Sequence, residues 1–207
     1  MAAADKAYDF AKERILDGRF EGGDLISEGD VADGVGVSRT PVREAFLRLE
    51  SEGLLRLYPK RGALVVPVSV GEVESVMETR MLVEHHAIER VIAQGVDLAA
   101  PLNAELLRQR SLASDGARFV EADREFHRLF VAAAGNPILL SLHDSLRDRQ
   151  SRMGLAAIAR DRQRVEQILQ EHQQLVDAVV AGDGRRAVEL IAHHLDGTLA
   201  LLRPGIR

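Results

Sequence analysis

The sequence of 207 residues contains neither cysteine nor tryptophan. The lack of cysteine excludes disulfide bonds and thiolate zinc sites. No apolar run approaches the ~18 residues that a membrane-spanning helix requires. The N-terminal stretch MAAADKAYDFAKERI is charged and amphipathic, without the apolar core of a signal peptide. We therefore expect a cytoplasmic protein that is not attached to a membrane.

The residues that are present favour helices. Hydrophobic residues make up 46% of the chain, which is enough for a substantial core. Leu, Ala, Val, Glu and Arg dominate, and these residue types favour helix over sheet. A chain of this length can form one large domain or two small ones.

Charge is distributed unevenly along the chain, which has 27 Lys and Arg against 32 Asp and Glu. Residues 1–37 carry four basic and nine acidic side chains, a net of −5, whereas residues 38–62 carry six basic and three acidic ones, a net of +3. A basic patch on an acidic protein is what steers a protein toward a polyanion. An ordinary solvated Arg/Glu helix surface remains the alternative on charge alone.

The first third of the chain has the pattern of a winged helix-turn-helix. Apolar spacing predicts helices over 5–17 and Glu28–Val35, the latter with Ser27 as its N-cap. Ser38 is the expected N-cap of a third helix that ends near Gly53 and has Pro41 in its first turn, where the missing N–H removes no helical hydrogen bond. Two β-type runs, 54–58 and 63–66, follow and are joined by a turn at 59–62. This order of elements predicts a winged helix-turn-helix.

From residue 71 onward the pattern is helical to the end. The predicted helices lie near 71–94, 98–114, 116–134, 137–159, 161–181 and 184–202. The predicted fold is therefore mainly α: a winged helix-turn-helix domain at 1–68, then an all-α antiparallel bundle of about six helices at 69–207.

The third helix carries the candidate DNA-reading residues. Arg39 and Arg43 are four residues apart and project from one helical face. An arginine fork can grip guanine O6 and N7, and the Ser38 and Thr40 hydroxyls suit phosphate oxygens. The remaining candidates of this basic segment are Arg48 and, at the hairpin turn, Lys60, Arg61 and Gly62, where the glycine would allow a close approach to DNA.

These residues also carry a resemblance. The segment VSRTPVREAFLRLESEGLL, followed by RGALVV, resembles the DNA-binding domain of the GntR family of bacterial transcription regulators. The resemblance covers about residues 5–67 and implies that Arg39 and Arg43 read bases while the Lys60–Gly62 wing contacts DNA. The chain departs from some members at Gly29, where they place a base-contacting arginine, so that role is not carried over.

In the helical part, polar residues interrupt apolar stripes. Asp123 and His127 lie four residues apart on a stripe with Phe126 and Phe130. His172 and His194 each interrupt the apolar stripe of a later helix. A buried carboxylate is costly unless it is paired or bound to metal, and imidazole with carboxylate suits Zn, Ni, Mn or Fe. Each histidine taken alone could instead be a satisfied core residue, but the four together favour a divalent metal site.

The pattern D-x3-H, then E-H, then a final H-L is similar to the FCD effector domain of FadR-type GntR regulators, over about residues 71–202. The resemblance implies that the positions of Asp123, His127, His172 and His194 bind a divalent metal, zinc first among the candidates, at the floor of an effector cavity.

Two further residues are candidates for effector binding. Arg80 lies on a buried stripe with Glu84 one turn later. In the FCD pattern an arginine in this helix faces the cavity and clamps an effector carboxylate, and an internal ion pair with Glu84 is the alternative. Asn136, in a Gly-Asn-Pro turn, is expected either to border the cavity or to serve only the turn.

Three functions compete at this point. The first is a homodimeric transcriptional regulator, most often a repressor in this family, that binds an inverted repeat in double-stranded DNA and responds to a small organic acid or sugar acid. The second is a metal-dependent hydrolase. The sequence shows no general base or nucleophile beside the four ligands, no HExxH motif and no Gly-rich phosphate loop, which argues against it. The third is a regulator whose metal only stabilises the bundle. We therefore expect a regulator and not an enzyme.

Overall fold

The computed structural model describes residues 2–203 and is mainly helical. The chain divides into two compact units between Val68 and Ser69. Within the described residues, the first unit has helices α1 (Ala3–Leu16), α2 (Glu28–Val35) and α3 (Arg39–Ser51) and strands β1 (Leu25–Ile26), β2 (Leu55–Tyr58) and β3 (Gly62–Val65). The second has helices α4 (Val70–Ala93), α5 (Ala99–Ser111), α6 (Gly116–Ala133), α7 (Pro137–Ser145), α8 (Arg147–Arg160), α9 (Arg164–Val180) and α10 (Gly184–Leu202).

Local signals set the turn between α2 and α3. The Ser27 hydroxyl accepts a hydrogen bond from the Asp30 backbone N–H at 3.0 Å and so caps α2. Gly36 ends α2 in the left-handed conformation, with φ 74°. Ser38 stands at the N-cap position of α3, whose buried side holds Val42, Ala45, Phe46 and Leu49. α3 is thereby held with its opposite side facing solvent.

The sheet of the first unit has the order β1-β3-β2, with both pairs antiparallel. β2 and β3 form the predicted hairpin, whereas β1 was not predicted because two residues are too short to show a period. β1 places the Ile26 carbonyl oxygen so close to Gly62 that a Cβ there would collide with it. Gly62 also has φ 110°, so the wing itself requires glycine at this position.

The predicted helix over 137–159 is two helices, so seven helices follow Ser69 within residues 2–203. α7 and α8 meet at Leu146, whose backbone N–H bonds to the His143 carbonyl at 3.1 Å. The turn lets α7 bury His143 and places Asp144 2.8 Å from the Arg128 Nε of α6. The sequence has no glycine or proline at this turn. The apolar pattern therefore continues through it, and the sequence predicted a single helix.

The core of the second unit lies between α4, α6, α9 and α10. The aromatic stripe of α6 is buried, with Phe119, Phe126 and Phe130 each at most 1% exposed. Each buried aromatic or aliphatic side chain of this kind contributes about 1.5–3 kcal/mol to folding. α4 packs along α10, and α5 covers α6 and α9. The polar interruptions of these stripes therefore point into the bundle.

Candidate functional site

Four predicted ligands converge inside the bundle. α6 supplies Asp123 and His127, which lie one turn apart, α9 supplies His172 and α10 supplies His194. One potential ligand atom from each lies within 4.8 Å of all the others. The three histidines are at most 2% exposed. Helical spacing alone brings the first two together, and the packing of three helices adds the rest.

The inward atoms of this cluster lack ordinary partners. Asp123 Oδ1 lies 3.9 Å from His127 Nε2 and 3.6 Å from His172 Nε2. All three atoms are buried, and no hydrogen-bond partner for them is found in residues 2–203. A buried polar atom without a partner costs about 1–3 kcal/mol. A cation at the centre would satisfy them together, so the donor set fits a metal ion.

The electrostatics favour the ligand forms of the histidines. Burial lowers the pKa of His172 well below its usual value, and the neighbouring His194 lowers it further. Burial, with His127 and Arg164 nearby, does the same to the pKa of His194. Burial raises the pKa of Asp123, against the opposing effect of His127 and Arg80. Neutral imidazole is the form that binds a metal, and a divalent cation would stabilise the ionised Asp123 carboxylate.

Two residues that were not predicted as part of the site contact its histidines, and a third lies beside Glu84. Gln109 Oε1 lies 2.9 Å from His172 Nδ1, and Glu171 Oε2 lies 2.7 Å from His194 Nδ1. His143 is 1% exposed, with Nε2 3.7 Å from Glu84 Oε1. Gln109 shares a buried side of α5 with Leu102 and Leu106, and this was the one available signal.

A small cavity adjoins the cluster. Its polar and charged lining residues are Arg80, Asp123, Arg124, Gln150, His194 and Thr198, and the other lining residues are apolar. Its volume of about 30 Å³ has room for about one water molecule. Arg124 Nε and both polar atoms of the Gln150 amide are buried without hydrogen-bond partners in the described part of the chain.

Arg80 forms the internal ion pair that the sequence offered as one alternative. Its Nε donates to Glu84 Oε1 at 2.7 Å, and both side chains are buried. Burial alone would raise the pKa of Glu84, but Arg80 and His127 hold it well below its usual value. Arg80 Nη2 is buried and unpaired within the described residues, and Arg80 lines the cavity. The ion pair thus leaves one end of the guanidinium available.

Asn136 serves the turn. Its Oδ1 accepts from the backbone N–H groups of Ile138 and Leu139, at 3.1 and 3.3 Å, at the start of α7. The described residues that line the cavity do not include it. Its capping role accounts for its position.

In the first unit, Ser38, Arg39, Thr40 and Arg43 are all exposed at or near the start of α3. The Arg43 guanidinium forms a bidentate ion pair with Glu28: Nε donates to Oε1 at 2.8 Å and Nη2 donates to Oε2 at 2.9 Å. A Cβ at Gly29 would lie 3.5 Å from Arg39 Nη2, so Gly29 lies next to the Arg39 guanidinium.

The other DNA-binding candidates are placed differently. Lys60 and Arg61 are exposed at the hairpin turn, and Lys60 has φ 65°. Arg48 is engaged toward α1, with Nη1 2.9 Å from Asp5 Oδ1 and its guanidinium 3.9 Å from the centre of the Tyr8 ring. At about 100° per residue, Arg48 lies roughly 140° around α3 from Arg43. It therefore stands apart from the Arg39–Arg43 face.

Comparison with known proteins decides the family. Residues 75–197 match the FCD domain, and residues 3–65 match the bacterial regulatory proteins of the gntR family. An HTH-type transcriptional regulator of Agrobacterium vitis is 33% identical over 138 residues, which cover 62% of this chain and 78% of the relative. The chain is a GntR-family transcriptional regulator with an FCD domain.

Further comparisons agree with this family assignment. The gluconate operon transcriptional repressor of Bacillus licheniformis is 29% identical over 177 residues, covering 82% of this chain and 72% of that protein. A solved GntR regulator from Rhodococcus sp. RHA1 has a TM-score of 0.78 at 22% identity, with 99% of each chain covered, and shows the shared fold.

These matches confirm the winged helix-turn-helix followed by a helical domain, and the expectation of a regulator rather than an enzyme. The exposed arginines of α3 fall within the GntR match and the Asp/His cluster within the FCD match. Among the helices of residues 2–203, none has both the length and the apolar character needed to cross a membrane.

Proposed function

We propose that this regulator binds operator DNA through Arg39 and Arg43, and that a small carboxylate bound beside a divalent metal in the FCD domain controls that binding. One observation carries the proposal: Asp123, His127, His172 and His194 direct ligand atoms to one buried point where three of those atoms lack partners. Three nitrogen ligands and one oxygen ligand are typical of zinc, with Ni, Mn and Fe as alternatives.

Charge in the bundle favours an acidic effector. A divalent metal with the Asp123 carboxylate and three neutral imidazoles leaves a net charge of +1. The two flanking ion pairs, Arg80 with Glu84 and Arg164 with Glu171, add none. An anion is therefore the favoured ligand, with Arg80 Nη2 as a donor for one of its oxygens.

The unpaired groups of Arg124 and Gln150 suit further polar atoms on the effector. Because an amide offers both a donor and an acceptor, Gln150 matches a hydroxyl group, as found in hydroxy acids and sugar acids. The similar repressor of the gluconate operon is named for such an acid.

The size of the cavity links binding to conformation. A cavity of about 30 Å³ is too small for an organic acid, so some of the side chains that line it have to move when an acid binds. A ligand shifts an equilibrium only by its differential affinity for the two states. The effector therefore stabilises an expanded form of the FCD domain. We propose that the regulator is a repressor, and in a repressor the expanded form is the one that releases DNA.

We further propose that the regulator acts in the cytoplasm as a homodimer, with two winged helices on an inverted repeat. A symmetric dimer matches a palindromic site because each half-site then meets the same helix.

The proposal is tested by metal content and acid binding in purified protein. Wild-type protein should hold about one divalent metal per chain, and His172→Ala or His194→Ala should lower this by elemental analysis. At saturating metal, Arg80→Met should still hold about one metal per chain, because Arg80 is not itself a ligand, and should lose the response of DNA binding to acid. Full metal content in both histidine variants would reject them as ligands. Loss of the metal with no change in the acid response would leave only a structural metal.

A further inference from the structure

Each histidine of the cluster is engaged at Nδ1 by a residue from a different helix. His172 of α9 meets Gln109 of α5 at 2.9 Å, and His194 of α10 meets Glu171 of α9 at 2.7 Å. His127 of α6 has Nδ1 2.7 Å from Glu84 Oε2 of α4. That third contact has hydrogen-bond length but lies off the direction of the N–H bond. All three rings thus have their Nδ1 side occupied.

The partners determine which ring nitrogen carries the proton. An ionised carboxylate can only accept, so His194 donates from Nδ1 to Glu171. The Gln109 amide nitrogen lies 3.3 Å from the Ala122 carbonyl oxygen, which can only accept a hydrogen bond. The amide oxygen therefore faces His172 and accepts from its Nδ1. In both rings the lone pair is left on Nε2.

In two of the three rings, Nε2 is the nitrogen that faces Asp123. His127 Nε2 and His172 Nε2 lie 3.9 and 3.6 Å from its Oδ1. The contacts at Nδ1 thus select the nitrogen that faces the centre, the geometry in which an outer residue raises the basicity of a metal-binding imidazole.

The two carboxylates are themselves anchored. Arg164 Nη1 donates to Glu171 Oε1 at 2.8 Å, while its Nη2 donates to the His194 carbonyl at 2.9 Å and to Thr198 at 3.1 Å. Arg80 Nε holds Glu84 Oε1 at 2.7 Å. Each carboxylate therefore has one oxygen bonded to an arginine and the other 2.7 Å from a histidine Nδ1. A Cβ at Gly197 would lie 3.1 Å from Arg164 Nη1, so glycine there leaves space for this anchor.

We infer that Glu84, Gln109 and Glu171, with Arg80 and Arg164 behind the carboxylates, are positioning residues that make all three histidines present Nε2 to one cation. This inference rests on the proposed metal site. It also gives Arg80 a second task, because the same guanidinium lines the cavity and holds the carboxylate behind His127.

The test measures zinc affinity by chelator competition. Glu171→Leu and Gln109→Leu remove an acceptor and should weaken zinc binding about 10- to 100-fold. Glu171→Gln keeps an acceptor oxygen and should recover part of the loss. The matched control is Glu166→Leu, because Glu166 is an exposed residue of the same helix that contacts Gln170. It should bind zinc like wild type.

A second readout uses nitrogen NMR of the histidine rings in metal-free protein, with circular dichroism to confirm folding. Wild-type His172 and His194 should be protonated at Nδ1, and Glu171→Leu should change His194 while leaving His172 as it was. Wild-type zinc affinity in both leucine variants, or Nε2-protonated rings in wild-type protein, would overturn the inference alone. Wild-type protein that binds no zinc, nickel, manganese or iron would overturn the proposed metal site as well.

Discussion

Arg43 is exposed to solvent but already paired, because its guanidinium forms two hydrogen bonds with the carboxylate of Glu28, the first residue of α2. The same pair lowers the pKa of Glu28, so this carboxylate is ionised at neutral pH. If Arg43 reads a base as proposed, DNA binding has to transfer its guanidinium from the Glu28 carboxylate to that base. Glu28 would then compete with DNA for Arg43.

Glu28→Gln should tighten operator binding by about two- to fivefold, the range expected when an exposed ion pair no longer competes. Fluorescence anisotropy with labelled operator DNA measures it, and Glu13→Gln, a carboxylate of α1 that pairs with Arg19, serves as the control. Weaker binding in Glu28→Gln would show that Glu28 positions Arg43 instead of competing for it.

The arginines of α3 provide their own comparison. Arg39→Ala and Arg43→Ala should each lower specific operator affinity by about 5- to 150-fold, the value of one bidentate base contact. Arg48→Ala should have a much smaller effect, because Arg48 is engaged with Asp5 and Tyr8 on another side of the helix. Gel-shift titration against specific and unrelated DNA measures the effect. Equal losses in all three variants would reject a distinct Arg39–Arg43 reading face.

At this scale the sequence predicted which polar residues point inward, because helical period alone places Asp123, His127, His172 and His194 on buried stripes. It could not predict what lies behind them. Gln109 meets His172 across 63 positions of sequence, and Glu171 meets His194 across 23. Those contacts depend on which helices are neighbours, and periodicity carries no information about that.

Among the secondary-structure elements, the wing depends most clearly on a single residue. Gly62→Ala combines a strained φ with a collision against the Ile26 carbonyl oxygen, so it should destabilise the first unit by more than strain alone. Gly53→Ala is the matched control, because φ is 75° there and nothing among the described residues lies within 4 Å of the added Cβ.

We expect a loss of about 1–2 kcal/mol for Gly53→Ala from backbone strain and a distinctly larger loss for Gly62→Ala. Denaturant unfolding followed by circular dichroism measures both. Equal losses would mean that β1 moves aside at little cost and that the contact with Ile26 does not require glycine at position 62.

Element boundaries show where sequence patterns stop being informative. α2 was predicted with its bounds because a serine cap and a glycine stop mark both ends. The junction of α7 and α8 was missed because Leu146 is neither glycine nor proline. Tertiary contacts around it, the burial of His143 and the Arg128–Asp144 pair, hold the turn instead.

For the whole molecule, the proposed regulation requires that effector binding in the second unit changes the free energy of DNA binding by the first unit. To move DNA occupancy from about 99:1 to 1:99, an effector must prefer the DNA-releasing state by about 5.5 kcal/mol. The cavity beside the cluster has a volume of only about 30 Å³, so an acid bound there as proposed would have to expand it and would thereby distinguish between two states. The metal and Arg80 would supply the affinity that offsets this expansion.

The most direct measurement is the thermal shift of metal-loaded and chelated protein across a panel of mono- and dicarboxylates, hydroxy acids and sugar acids. An acid present at 100 times its dissociation constant adds about 2.7 kcal/mol of stability to the state that binds it. We predict that at least one acid raises the melting temperature of the loaded wild-type protein, and does so neither after chelation nor in Arg80→Met. An equal shift with and without metal, or no shift by any acid in fully loaded protein, would contradict a metal-dependent effector site.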